Sequence, residues 1–322
     1  MWISVVAMVG CGDSGGGAGG TGGEPPLLDE YVLSDDMLVP ESGTYDSENN
    51  AFYVGSATEG VITRVAGADG AEEVIFTPPA DEEWRTLGVI ADTPTRTMWV
   101  CAQLQEEGVV TTQEIWRFDL TTDALDASID IAEGTGEAGS SCNDIAVDGE
   151  GFAYVSDSAN PRVYRVNPAD DSISVWADDP LLAGSGGLFG LNGIAVTDDD
   201  EWVIVSKTTA PATSPRMLRI EIADPTQVIE VVNELEGTAD GISFLNGDLY
   251  ISQVTDARIA RLVSTDGWQT TTVSTVPAPN GTSTVRPAEG RLYGIYSDIT
   301  AELLGQPVRP PFLIYRVDLN GF

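Results

Sequence analysis

NDIAVDGEGFAYVSDSANPRVYRV, residues 143–166, holds two alternating apolar runs joined by Asp148-Gly149-Glu150-Gly151, then a third run centred on Arg165. Period-two alternation bounded by Asp and Gly reads as an antiparallel hairpin followed by a further strand. The same order recurs along the chain. Its third run, apolar-x-Arg-apolar, appears as ITRV (62–65), IWRF (115–118), VYRV (163–166), MLRI (217–220), IARL (259–262) and IYRV (314–317). The arginines, Arg64, Arg117, Arg165, Arg219, Arg261 and Arg316, stand 42 to 55 residues apart. Hairpins of one construction precede five of them: ESGTYDSENNAFYVGS (41–56), LGVIADTPTRTMWVCA (87–102), NDIAVDGEGFAYVSDS (143–158), NGIAVTDDDEWVIVSK (192–207) and DGISFLNGDLYISQV (240–254). A weaker sixth is STVRPAEGRLYGIYSD (283–298).

Most arginine runs are followed by one more extended stretch, such as SISVWAD (172–178) or QVIEVV (227–232). Four short strands in each of six units predict an all-β fold, a six-bladed β-propeller forming one domain over residues 29–322. After IYRV no fourth run follows, so DEYVLSD (29–35) is expected to supply the missing outer strand and close the ring. The six arginines are read as structural, with stems packed between blades and heads met at the rim or by carboxylates. No stretch patterns as a long helix, and the proline-containing segment 299–311 reads as irregular.

Composition narrows function further. The chain of 322 residues carries 51 acidic against 15 basic residues, a formal net charge of -36, and its single lysine is Lys207. So acidic a surface repels phosphate backbones and anionic membranes, which argues against a nucleic-acid partner. There is no histidine. Its absence removes Ser-His-Asp and Cys-His catalysis, and zinc or copper held by imidazole. Catalysis, if any, falls to carboxylates, a metal ion or a less common nucleophile.

The first residues, MWISVVAMVGCGDSGGGAGG, give a short apolar run ending at Gly10-Cys11, then dissolve into glycine. The run is well short of the about 20 apolar residues of a membrane-spanning helix. It suits a secretory signal, although no Lys or Arg precedes it. Met8-Val9-Gly10-Cys11 resembles the lipobox of bacterial lipoproteins. Residues 1–11 are therefore expected to be a signal peptide ending in a lipidated Cys11, and 12–28 a glycine-rich linker. This predicts an exported cell-envelope lipoprotein that touches the membrane only through that anchor and is otherwise a monomer. Cys101 and Cys142 then remain, either as a disulfide suited to an oxidising compartment or as two buried thiols.

In a propeller the first strand of each blade lines the central channel, so residues at its head share one height around one axis. Down the repeats these are Glu41, Leu87, Asn143, Asn192, Asp240 and, in the sixth, a residue near Val285. Two carboxylates and two carboxamides converging on one point need a partner. A hard divalent cation satisfies that need: calcium takes about six to eight oxygen ligands and accepts Asn, Asp and Glu together. Glu41, Asn143, Asn192 and Asp240 are thus the candidate metal ligands, with Ca2+ the expected ion and another divalent cation compatible with the same oxygens. A single such residue would be explained by a turn at the start of a strand; four in one register are not.

These hairpin heads resemble the senescence-marker-protein, gluconolactonase and luciferin-regenerating-enzyme superfamily, related to diisopropylfluorophosphatase and the paraoxonases. Pro40-Glu41 matches its P-E-G context except that Ser42 replaces the usual Gly. Asn143-Asp144, Asn192-Gly193 and Asp240-Gly241 match its N-D, N-G and D-G dipeptides in order, over about residues 29–319. The resemblance implies a calcium-holding six-bladed propeller that hydrolyses a lactone or related ester of a small-molecule substrate. It implies Asp240 as general base or nucleophile. Asp144, beside Asn143, is the candidate to orient that ligand, its alternative being a solvent-facing turn aspartate. Mouth segments WRT (84–86), GSGGLFG (184–190) and 299–311 are candidates for substrate contact by position alone. The competing function is a non-enzymatic, metal-stabilised binding module for a ligand or protein. The zinc-and-histidine lyase chemistry of related propellers is excluded by the missing histidine.

Overall fold

The computed structural model describes residues 26–184, 190–208 and 216–322. Within them the chain forms six four-stranded antiparallel sheets. Blades one to five take their strands consecutively, from Gly43–Asp46 in the first to Thr272–Pro277 in the fifth. Blade six takes Thr282–Ala288, Arg291–Tyr296 and Phe312–Arg316 from the C-terminal end, and its outermost strand is Glu30–Leu33. That strand runs antiparallel to Phe312–Arg316, pairing Tyr31 with Ile314 and Leu33 with Phe312. The expected six-bladed β-propeller, closed by an N-terminal strand, is the fold.

A single sheet has two faces and cannot bury either alone. Six apolar clusters accordingly lie between neighbouring blades. One joins Trp99, Cys101 and Ile115 of blade two to Ile145, Val155 and Tyr164 of blade three. Another joins Phe52 of blade one to Tyr293 and Phe312 of blade six, with Tyr31 of the closing strand between them. Cys101 and Cys142 form a disulfide, with Cα atoms 5.6 Å apart, that ties blade two to blade three.

The repeated arginines are structural. Arg64 pairs with Glu73 of its own blade and Asp123 of the next. Arg117 does the same with Asp126 and Asp171, and Arg219 reaches the Gly267 carbonyl of blade five. Arg165 instead lies 3.6 Å from the centre of the Phe152 ring, Arg261 pairs with Asp248, and Arg316 pairs with Asp29, just before the closing strand. Segment 299–311 is less irregular than its prolines suggest: it opens with a short helix, Ile299–Leu303.

Candidate functional site in the central channel

The first strands, beginning at Gly43, Glu83, Cys142, Leu191, Ile242 and Thr282, run side by side around the axis. At their heads the backbones approach so closely that there is no space for a side chain at three of the residues following the head. A Cβ on Gly88 would meet the Asp144 backbone, one on Gly193 the Asp240 and Gly241 backbone, and one on Gly241 the side chain and backbone of Thr284. The glycines of the N-G and D-G dipeptides are therefore steric requirements. Hydroxyls at the ends of the second strands hold the heads in place. Ser156 Oγ donates to the Asn192 carbonyl (2.6 Å), Ser206 Oγ to the Asp240 carbonyl (3.3 Å) and Ser252 Oγ to the Ser283 carbonyl (2.6 Å).

The same register corrects one position. Tyr53, Tyr154, Tyr250 and Tyr293 each pair with the repeated arginine of their blade, and Val285 pairs with Gly294 as Gly43 pairs with Val54. The sixth head is therefore Ser283, and Val285 is a fully buried core residue.

Glu41, Asp240 and Asp144 are close enough to act on one another. Burial, then the negative Asp240 and Asp144, pushes the Glu41 carboxyl well above the ordinary carboxylate range. Burial, then Asp144, pushes Asp240 up to about 7, against a hydrogen bond from Asn192. Burial also raises Asp144 and outweighs the opposing effect of Arg286. Glu41 Oε2, Asn143 Oδ1 and Asp144 Oδ2 are buried without any donor. Leu87, the apolar head of blade two, packs with Val254 and Val308 against the cluster that contains Ile299.

Among the described residues, no group of three or more His, Cys, Asp or Glu side chains forms a metal site. The expected set holds only two carboxylates, so its fit rests on the carboxamides as well. On the donors present it does fit: the four side chains offer oxygens, two of the buried ones lack a partner, and two ionisable carboxyls are held in an environment hostile to uncompensated charge.

Asp144 is not a solvent-facing turn residue: it is 4% exposed, and its Oδ1 accepts from Arg286 Nη2 (2.9 Å) and from its own neighbour, the Ile145 amide (2.9 Å). Arg286 has no counterpart among the motifs. The signal for it is a departure from the repeat: Thr44, Ile90, Ala146, Ala195 and Ser243 hold the same position in the other blades. Beyond the guanidinium, farther along the first strands, lies a cavity of about 220 Å³ lined by Ile90, Ile145, Ile194, Ile242 and Phe244.

Of the mouth segments, Trp84 and Thr86 are buried, and Trp84 belongs to the core between blades one and two. Arg85 reaches segment 299–311, pairing with Glu302 at 3.3 Å. A second cavity of about 220 Å³ lies beside that segment, lined by Thr255, Asn280, Asp298, Thr300, Gln306 and Arg309. Residues 185–189 of GSGGLFG, and the whole of 1–11 with Cys11, lie outside the described residues.

Fold and channel together define a six-bladed propeller with acidic and carboxamide groups converging on its axis. Solved proteins share that fold. The major allergen Mala s 1 of Malassezia sympodialis superposes with a TM-score of 0.72 at 16% identity, over 91% of this chain and 96% of the allergen. A luciferin-regenerating enzyme gives 0.59 at 14% identity, over 92% and 95%. A gluconolactonase from Xanthomonas campestris gives 0.54 at 15% identity, over 91% of each chain. The last two are of the kinds to which the four dipeptides pointed. No protein-family model and no curated protein matches the chain.

Proposed function

We propose that the chain is an exported, calcium-dependent hydrolase of a lactone or related ester. The observation that carries this reading is the set of buried oxygens without donors, Glu41 Oε2 and Asn143 Oδ1, beside the raised carboxyls of Glu41 and Asp240. Glu41, Asn143, Asn192 and Asp240 would hold the ion, and another divalent cation suits the same oxygens. When bound there, it would act as a Lewis acid on the carbonyl or phosphoryl oxygen of the substrate. Asp240 takes the proton of the attacking water at a carboxylate oxygen, or attacks in its place as nucleophile. Asn192 lies beside Asp240, and the Ser206 hydroxyl fixes the Asp240 backbone. Asp144, paired with Arg286, stands beside them. The fold shared with a gluconolactonase supports a lactone as the first substrate to try.

Export and a lipid anchor at Cys11 belong to the same proposal. The Cys101–Cys142 disulfide supports an oxidising compartment. No helix among the described residues is long and apolar enough to cross a membrane. A second reading has its own support in the way the polar groups of the channel link several blades: a propeller whose ion staples the ring and which binds a ligand or partner without turnover.

Two measurements separate these readings. Calcium added after chelation is expected to raise the melting temperature, by several degrees for an ion present well above its dissociation constant. Calcium-loaded protein is expected to hydrolyse members of a panel of lactones, aryl esters and organophosphates, with Asp240→Asn folded but inactive. A thermal shift without hydrolysis selects the binding module; no thermal shift removes the ion.

A further inference from the structure

Asp144 lies outside the four-residue ligand set, yet it is ionisable, buried and at the axis. It is bound to a cation the chain carries itself. Arg286 enters from the first strand of blade six, is 2% exposed, and directs every nitrogen at an oxygen. Nε donates to the Gly43 carbonyl (2.8 Å), and Nη1 to the carbonyls of Ile242 (3.1 Å) and Val285 (3.2 Å) and to Ser243 Oγ (3.0 Å). Nη2 donates to Ser42 Oγ (3.0 Å) and Asp144 Oδ1 (2.9 Å). These acceptors belong to blades one, three, five and six. A guanidinium stays protonated in proteins, so this charge is permanent.

Two of the six positions that follow a strand head, Ser42 and Asp144, carry side chains that meet Arg286. Three of the others are the glycines demanded by close approach. The departures from glycine at 42 and 144 are thus explained together, as the cage of one arginine. Charge explains why the cage holds a cation. With an ion bound and their protons released, Glu41, Asp144 and Asp240 bring three negative charges, and Arg286 cancels one. Two remain, and one divalent ion neutralises them. In a buried channel a residual net charge is strongly unfavourable.

The geometry points to Arg286 as a positioning residue that pins Asp144 and sets the charge of the channel so that it favours a divalent over a trivalent ion. This rests on the ion site proposed above. Without Arg286 the three carboxylates match an ion of one charge more. A lanthanide, similar to calcium in size and in its preference for oxygen, is the probe for that difference.

The test is direct binding of Ca2+ and of Tb3+ to the purified full chain by calorimetry, with no turnover involved. Arg286→Met is expected to raise the ratio of Tb3+ to Ca2+ affinity by about tenfold or more, the scale of one charge acting at short range in a medium of intermediate permittivity. Asp144→Asn is expected to move the ratio the other way. The double variant replaces a buried pair as a unit, a change that proteins tolerate, and returns the ratio to near the wild-type value. Arg286→Lys keeps it there. If Arg286→Met fails to fold, Arg286→Gln makes the same charge change while keeping a polar donor at that position. Wild type that binds calcium, with ratios unchanged in both single variants, overturns the role of Arg286 and leaves the ion site standing. Wild type that binds neither ion overturns the ion site itself.

Discussion

Three buried carboxyls around one axis give the channel a pH dependence of its own. Burial is the largest cause for each, and mutual repulsion adds to it at Glu41 and Asp240. A carboxyl raised in the folded state keeps its proton where the unfolded chain, with values near about 4, has released it. The folded state then binds more protons, so stability falls as pH rises. For Asp240 the window runs from about 4 to about 7. The chelated protein is therefore expected to lose stability across that window, with a slope approaching about 1.4 kcal/mol per pH unit for one proton. Asp240→Asn should flatten part of that slope, and calcium should restore stability at neutral pH. Urea midpoints measured from pH 4 to 8 decide it: an identical slope in wild type and variant would show that Asp240 titrates normally. At this scale the sequence was legible where a residue repeats. Glu41, Asn143, Asn192 and Asp240 stand out because four blades place them at one station. Arg286 stands in no repeated column, and its partners lie 43 to 244 residues away apart from the adjacent Val285, so only the folded ring brings them together.

A blade is legible from alternation and turn residues, and its exact register is not. The hairpins of blades five and six turn through Asn246-Gly247 and Glu289-Gly290, all with positive φ, as the tightest hairpins require. The first hairpins of the other blades use longer turns, and register shifts lie at the heads of blades two, three, four and six. The sixth head, expected near Val285, is therefore fixed at Ser283 by strand pairing and not by spacing. What pins the heads is contact between neighbouring first strands, above all at Gly193. A methyl group there meets the Asp240 and Gly241 backbone, which has no flexible side-chain end to give way. Gly193→Ala is expected to cost about 1–3 kcal/mol through overpacking. Because the strain falls between Asn192 and Asp240, it should also shrink the thermal shift produced by calcium. Urea midpoints and melting temperatures with and without calcium test both parts; an alanine variant with an unchanged midpoint would mean the strands part without cost.

Over the whole molecule the ring is only as strong as its weakest joint, since each core is shared by two blades. Between blades two and three the disulfide closes a loop with a sequence separation of 41, so its reduction is expected to cost about 4 kcal/mol by the loop-entropy relation. Between blades six and one the joint joins residues from opposite ends of the chain. Tyr31 carries it. The side chain is 2% exposed, packs at 5.3 Å from Phe52 of blade one and 6.3 Å from Tyr293 of blade six, and its hydroxyl donates to the Gly67 carbonyl at 2.8 Å. Around it Tyr293 and Arg291 donate to the Leu28 and Leu27 carbonyls, and the Arg316 amide to that of Asp29. Tyr31→Ala removes the ring and strands its partner carbonyl, and is expected to cost about 3–5 kcal/mol, the range of large aromatic truncations. Excising residues 26–34 goes further, because Phe312–Arg316 then presents an unpaired edge next to exposed apolar surface. That variant is expected to self-associate through the edge, and size-exclusion chromatography should show oligomers for the excision and a destabilised monomer for Tyr31→Ala. A monomeric, fully stable excision variant would mean that blade six closes the ring with three strands, and that the strand from the N-terminal side is dispensable to a propeller otherwise held by its five complete blades.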